Sequence, residues 1–404
     1  MALNTALSGI NAAQSDLNVI ANNIANANTT GFKGSRAEFA DVYAVTGLNL
    51  NSTAVGSGAR LADVAQQFAQ GDIETTNNSM DLAISGNGFF VINSGQGPVY
   101  TRAGAFHPDP TGYVVNNDGA RLQVYPYNGT GFDTSTLTDL KLITAQSSAK
   151  ATTTVTMNSN LPANATVPTL PFSASDSTTY NAATPVTVYD SQGGAHQGTV
   201  YYIKTGTNAW SADLQVDGID AGTQALAFDA SGKLTTPADG NLAFGAVTLT
   251  NGADPLTLTV NLANTTQFGT DYSPGAISQD GYEAGILSNI DIDSKGIVTA
   301  NYSNNQSSKI GQLAIANFSN LQGLRQLGNT NWAASGDSGA PVMGSAGVGQ
   351  FGAIQSGALE TSNTSDTTAQ LVNMIKAQRN YQANAQVLST DNTLATTLFN
   401  AVSR

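Results

Sequence analysis

No cysteine occurs among the 404 residues, which excludes disulfides, thiolate metal sites and cysteine nucleophiles. It also suits a chain that must stay unfolded during export. Charge is scarce at 11% of residues, yet acids outnumber bases by 28 to 15 and leave a net −13. Such a balance is the opposite of a basic nucleic-acid footprint, and no nucleic-acid partner is expected. No stretch is apolar enough to span a bilayer, so no membrane insertion is expected either. The first lysine is Lys33, so no basic segment precedes an apolar one, and no cleavable signal peptide is read. Histidine is almost absent: His107 lies beside Pro108 and His196 in a turn, with no His-rich metal cluster and no evident acid–base pair.

What the chain does have is an apolar heptad at each end. Leu3, Ile10, Leu17 and Ile24 recur every seven residues, with Ala6, Ala13, Ile20 and Ala27 three positions later. Near the other end the offset pairs are Leu371/Met374, Gln378/Tyr381, Ala385/Leu388, Asn392/Ala395 and Phe399/Val402. Each pattern marks an amphipathic helix with a narrow seam suited to another helix. The two helices can pair antiparallel within one chain, or be completed by neighbouring copies. Gln378 and Asn392 fall at core positions of the second seam, where polar residues lower stability and help to specify register. Residues 1–30 contain Asp16 alone, and residues 366–404 balance three bases against two acids. The ends together are therefore neutral, and the middle carries the whole −13. Neutral ends can approach one another, while an acidic body stays soluble.

Between the helices the pattern is β-rich. The first helix should stop in the Asn, Thr and Gly cluster at 26–31, and residues 31–70 read as a connector. Strands follow at Leu82–Ile84 and Phe89–Ile92, then a hairpin, Tyr113–Val115 and Leu122–Tyr125, around the turn Asn116–Gly119. After a Ser/Thr/Ala-rich join near 146, Trp210, Ala212, Leu214 and Val216 keep strict period two, as do Leu256, Leu258, Val260 and Leu262. These read as half-buried antiparallel strands. From about residue 281 the earlier β region resumes. The expected fold class is α+β multidomain, with terminal coiled-coil helices enclosing two mainly antiparallel β domains, the second inserted in the first. The expected boundaries are 1–30 for the N-terminal helix, 31–70 for the connector, and 71–145 with 281–362 for the inner β domain. The inserted outer domain takes 146–280 and the C-terminal helix 363–404.

Two motifs imitate chemistry. Gly347–Gly352 fits GxGxxG, but no apolar strand leads in and no helix opens after it, so a glycine-rich loop is expected. Asp291–Gly296 begins like a calcium loop, but Lys295 replaces a ligand and Tyr302 stands where a bidentate Glu belongs, so a hairpin turn is expected. No catalytic residue, metal or cofactor is expected, and no enzyme activity.

Several long segments identify the chain as a relative of the flagellar rod/hook family. They are Ser8–Ala13, Ala21–Gly34, Ser85–Phe90, Tyr100–Phe106, Gly112–Gly119 and Leu371–Asp391, in that order along the chain. Within the family, length and the segment from 146 to 280, with Pro185–Gly193 and Val200–Trp210, resemble hook rather than rod subunits. A distal rod subunit is the nearer alternative. A secreted adhesin or surface-layer protein is the alternative from another class, and it leaves both terminal heptads unexplained.

The resemblance implies a subunit of a curved, hollow, helical tube that acts as a universal joint between rod and filament. In the resemblance the terminal helices pack around the channel and the inserted domain lies outermost. Leu3, Ile10, Leu17, Ile20, Ile24, Leu371, Met374, Tyr381, Leu388, Phe399 and Val402 would then be assembly residues. Their seams would be disordered in an isolated copy and order on assembly. Weak polar contacts between outer strands would slide as the tube turns. Implied partners are further copies of the chain, a distal rod protein, a hook cap, a hook–filament junction protein and a type III export gate. Export would proceed unfolded and uncleaved to the exterior, with Phe39 and Tyr43 as a possible signal for the gate.

Overall fold

The computed structural model describes residues 2–42, 56–142 and 146–402. The chain forms two units: Met1–Ile143 with Asn289–Ala300 and Ser307–Arg404, and Thr144–Ser288 with Asn301–Gln306.

In the first unit, helix α1 spans Ala2–Ala25 and helix α2 spans Thr367–Val402. At 1.5 Å per residue they are roughly 36 and 54 Å long. α1 ends just before the Asn, Thr and Gly cluster at 26–31, and Gly31 turns the chain at φ 68°, its N–H donating to the Glu360 carbonyl at 2.8 Å. α2 starts at an acidic cap: Asp366 Oδ1 accepts from the N–H groups of Thr368 and Ala369, each at 3.1 Å. The helices pack on each other antiparallel. Asn384 lies against Gly9, while the Thr364 hydroxyl, just before α2, donates to the Asn23 carbonyl at the far end of α1.

The connector contributes the strands Ser35–Asp41 and Ala59–Gln66, which pair antiparallel with a bulge at Glu38/Phe39 and pack beside α1. Asn23 joins helix to strand as a strand residue would. Its side chain accepts from the Ser35 N–H at 2.9 Å and donates to the Ser35 carbonyl at 2.8 Å.

The body of this unit is built on a twelve-stranded sheet. Its central run is Ser307–Asn317, Arg121–Pro126, Phe89–Asn93, Pro98–Thr101, Asn331–Ala333 and Arg325–Gly328. Alternation along these strands feeds two cores. Phe90, Ile92, Leu313 and Ile315 point to one face, and Phe89, Val91, Ala314 and Ala316 to the other. On the second face Phe89 meets Trp332 edge-on at 5.6 Å and Tyr100 meets Phe318 at 4.8 Å. Strands from the two ends of the chain pair with each other and close the unit: Ile73–Thr75 with Ala358–Glu360, and Leu82–Ser85 with Ala353–Ser356. The hairpin turn at Asn116–Gly119 is present, with Val115 opposite Arg121 and Gly119 at φ 78°.

The second unit has two five-stranded sheets. One is an antiparallel meander of Ala182–Tyr189, Ala195–Gly206, Ala209–Val216, Ile219–Phe228 and Leu234–Thr236. Trp210, Ala212, Leu214 and Val216 are all buried in its core. The other departs from the expected pattern. Leu256, Leu258, Val260 and Leu262 are buried as their period demands, but only Thr259–Asn261 is a strand. It pairs antiparallel with Asn241–Ala243 and parallel with Thr154–Pro162. Period two specifies which side chains turn inward; it carries no information on strand direction.

Candidate assembly site

The inner row of α1 is covered within the chain: Ala6, Ala13 and Ile20 are buried, as is Ala27 just past its end. Alanines let the packed neighbours approach closely, so the larger row flanks the contact. Ile10, Leu17 and Ile24 are half-buried and Leu3 is 46% exposed. Gly9 belongs to the same close approach, since a Cβ there would lie 2.5 Å from Asn384 Oδ1.

α2 meets α1 along a different pair of rows from the one its sequence suggests. Gln370, Met374, Ala377, Asn384, Ala385, Leu388 and Asp391 are the covered residues, Ala385 being a core position of the expected seam. Met374 and Leu388 thus lie at the contact, with Tyr381 on the same row but exposed. Leu371 is exposed, and so are Gln378 and Asn392, which are not core residues. The close approach at Gly9 accommodates Asn384, so a polar residue outside the expected seam lies at the contact. Beyond Asp391 the described residues of α2 all stand open to solvent. Every residue from Asn392 to Val402 is exposed, Phe399 at 74% and Val402 at 80%.

Phe39 sits on the bulge of Ser35–Asp41 and is exposed; Tyr43 lies outside the described residues. The glycine run Gly347–Gly352 leads into the strand Ala353–Ser356, not a helix. Asp293 closes a tight turn, its Oδ1 accepting from the N–H groups of Lys295 and Ile297 at 2.9 Å each. Among the described residues, no group of three or more His, Asp or Glu is placed to hold a metal ion.

Two polar clusters escaped the sequence. In the first unit, Lys33, Arg102 and Glu360 meet in the interior. Glu360 receives Lys33 Nζ at 2.5 Å on Oε1 and Arg102 Nη1 at 3.0 Å on Oε2, with the Gly71 N–H also on Oε1 at 2.9 Å. Lys33 further donates to the Ala69 carbonyl, and Arg102 to those of Ile84 and Gly86. Burial lowers the pKa of both cations, and the Glu360 carboxylate opposes it. The cluster ties the end of α1, the connector, the first body strands and the approach to α2 into one piece. In the second unit, His196 is held between two carboxylates, Nε2 at 2.9 Å from Asp190 and Nδ1 at 2.6 Å from Asp217. The sequence reading of His196 as unpaired is thereby corrected: the partners are 6 and 21 residues away and come together only when the strands pair.

The terminal helices thus meet at a close approach of small residues, and the last turns of one of them are exposed. Four family profiles match the chain along its length. They are "Flagella basal body rod protein" at residues 3–33, "Flagellar hook protein FlgE/F/G D1 domain" at 83–170, "Flagellar basal body protein FlaE D2 domain" at 160–282, and "Flagellar basal body rod FlgEFG protein C-terminal" at 355–401. The flagellar hook protein FlgE of Escherichia coli (strain K12) is 41% identical over 412 residues, covering 99% of this chain and 100% of the relative. The chain belongs to the flagellar hook protein family. The hook protein FlgE of Rhizobium meliloti (strain 1021) is 35% identical over 415 residues, with 98% of each chain covered. Among solved structures, the Helicobacter pylori flagellar hook protein FlgE2 shares the fold, with a TM-score of 0.52 at 14% identity over 71% of this chain and 100% of that one. The chain is thus a flagellar hook subunit, of a family that is structural.

Proposed function

We propose that this hook subunit polymerises with copies of itself into a curved, hollow tube that transmits torque as a universal joint, and that it catalyses no reaction. The observation that carries this reading is the uncovered end of α2. Leu394, Leu398, Phe399 and Val402 stand exposed along the last turns of that helix. Each such side chain removed from water contributes about 1.5–3 kcal/mol, enough together to drive association. The outer row of α1, from Leu3 to Ile24, and Leu371 and Tyr381 on α2 would add to the contact. Of the residues expected for assembly, Leu3, Leu371, Tyr381, Phe399 and Val402 are exposed, while Ile20 is buried within the chain. The polar outward positions of the second unit suit contacts that exchange partners at little cost.

By the same reading its neighbours are a distal rod protein below, a hook cap during growth, and a junction protein toward the filament. Export would run through a type III gate, with Phe39 as a contact. Electron microscopy of basal bodies from cells lacking this one gene tests the assignment. Complete rods that end bare, with no hook or filament, are expected. Rods cut short would make the chain a rod subunit, and intact hooks would overturn the proposal.

A further inference from the structure

Lys33 and Arg102 bring two positive charges into the interior against the single carboxylate of Glu360, all three at most 5% exposed. Buried charge without a counter-charge is costly, so a fold that retains it commonly supplies compensation from outside the cluster. The same two cations line a cavity of about 360 Å³. Asn87, Asn317, Asn320 and Gln322 supply its other long polar side chains, and Phe89 lies beneath the Arg102 guanidinium at 5.7 Å. Among the described residues no carboxylate lines the cavity, in a chain where acids are nearly twice as numerous as bases. Arg102 Nε is buried and has no hydrogen-bond partner among them, and Lys33 Nζ uses two of its three hydrogens.

We propose that this cavity is an anion site that takes a carboxylate, held by the uncompensated charge of Lys33 and Arg102 and by the amide N–H groups around it. The carboxylate comes either from a free small acid or from an Asp or Glu of a second subunit. The second source rests on the polymer reading above; the site itself does not.

Asn317 provides the test. Its Oδ1 accepts the Phe318 N–H at 2.9 Å, a bond that Asn317→Asp can keep while placing a fixed negative charge in the cavity. The full-length monomer would be melted in chloride and in acetate at equal ionic strength, and then induced to polymerise. If the source is free, acetate raises the wild-type Tm by about 2–4 °C. Asn317→Asp then starts higher in chloride, ignores acetate and polymerises normally. If the source is another subunit, Asn317→Asp is again the more stable monomer but polymerises poorly, because the cavity is already satisfied. A variant no more stable than wild type, or one that still gains from acetate as wild type does, overturns the proposal. Asn87→Asp, read in the same way, replaces it should Asn317→Asp fail to fold.

Discussion

The Lys33 ammonium and the Glu360 carboxylate meet at 2.5 Å although 327 positions separate them in the chain. Their contact joins the segment that leaves α1 to the strand Ala358–Glu360, seven residues before α2 begins. Both helix roots are thereby attached to one point of the sheet body. Torque passed along the helices of such a subunit would reach the body through this point. Glu360→Gln leaves Lys33 and Arg102 buried without an anion, and should cost about 3–5 kcal/mol in a urea titration. Lys33→Met should cost clearly less, because Arg102 and Glu360 remain as a balanced pair. Equal losses in the two variants would refute the charge argument and leave packing as the explanation.

Gly104 approaches the first body strand more closely than any side chain would permit. A Cβ there would lie 1.6 Å from the Leu82 carbonyl oxygen, and the Leu82 N–H already donates to the Gly104 carbonyl at 2.9 Å. The obstacle is backbone, so no rotamer change relieves it. Gly104→Ala should therefore destabilise by about 3 kcal/mol, the upper end for overpacking. Gly336→Ala, with open space around its added methyl, is the control and should change stability by about 0.5 kcal/mol or less. A denaturant midpoint for each variant decides.

His196 makes the stability of the second unit depend on pH. The hydrogen bond to Asp190 is the main cause that raises the His196 pKa, partial burial opposes it, and Asp217 adds to the rise. Burial works against ionisation of Asp190 too. Bonds from His196, Asn251 and the N–H groups of Gly194 and Gln192 outweigh it and hold the carboxyl down at about 2. Asp217 is also lowered, chiefly by His196. The raised histidine stabilises the fold fully below its unfolded value of about 6.5, and that contribution is lost as pH rises through the folded value. The lowered aspartates contribute above about 3.9 and lose their effect as pH falls toward 2. His196→Gln should thus cost about 2 kcal/mol between roughly pH 4 and 6.5, and progressively less at alkaline pH. Thermal melts of the full chain across that range measure the difference. A constant gap from pH 5 to 9 would mean that charge plays no part.

The terminal heptads were legible because helical periodicity is local. Leu3, Ile10, Leu17 and Ile24, and the row Met374, Tyr381 and Leu388, all fall on α1 and α2. Which rows meet was not legible, because the choice depends on the shape of the partner surface. Gly9 leaves room for Asn384, and Ala377 is buried where Leu371 and Gln378 are exposed; no periodicity within α2 encodes that. The same limit applies to the buried ions. Lys33, Arg102 and Glu360 each sit in a short polar sequence that reads as surface, and only the pairing of strands from opposite ends of the chain removes them from water. Two-residue alternation foretold the buried sides of Trp210–Val216 and Leu256–Leu262 equally well. It could not tell the antiparallel meander from the parallel pairing of Thr154–Pro162 with Thr259–Asn261.

The end of α2 separates folding from assembly. The side chains of Asn392–Val402 are exposed, so their removal takes little buried surface from the isolated chain. Truncating the chain after Asp391 should shift the urea midpoint of the monomer by an amount worth about 0.5 kcal/mol or less. A solvent-exposed helical end of that length is marginal by itself, since short helices in water depend on packing for their stability. It should fray in the monomer and be cut there by a protease of broad specificity, while cleavage is suppressed in the polymer. Pelleting assays on the truncated chain should find no tubes at concentrations where the full chain assembles. Leu398→Ser, which removes one exposed apolar side chain and leaves the helix intact, should raise the critical concentration by about tenfold or more for roughly 1.5 kcal/mol or more of lost burial. If the truncated chain assembled at the same critical concentration as the full one, the exposed apolar residues of α2 would have no part in holding subunits together, and the contact would have to lie on the outer row of α1.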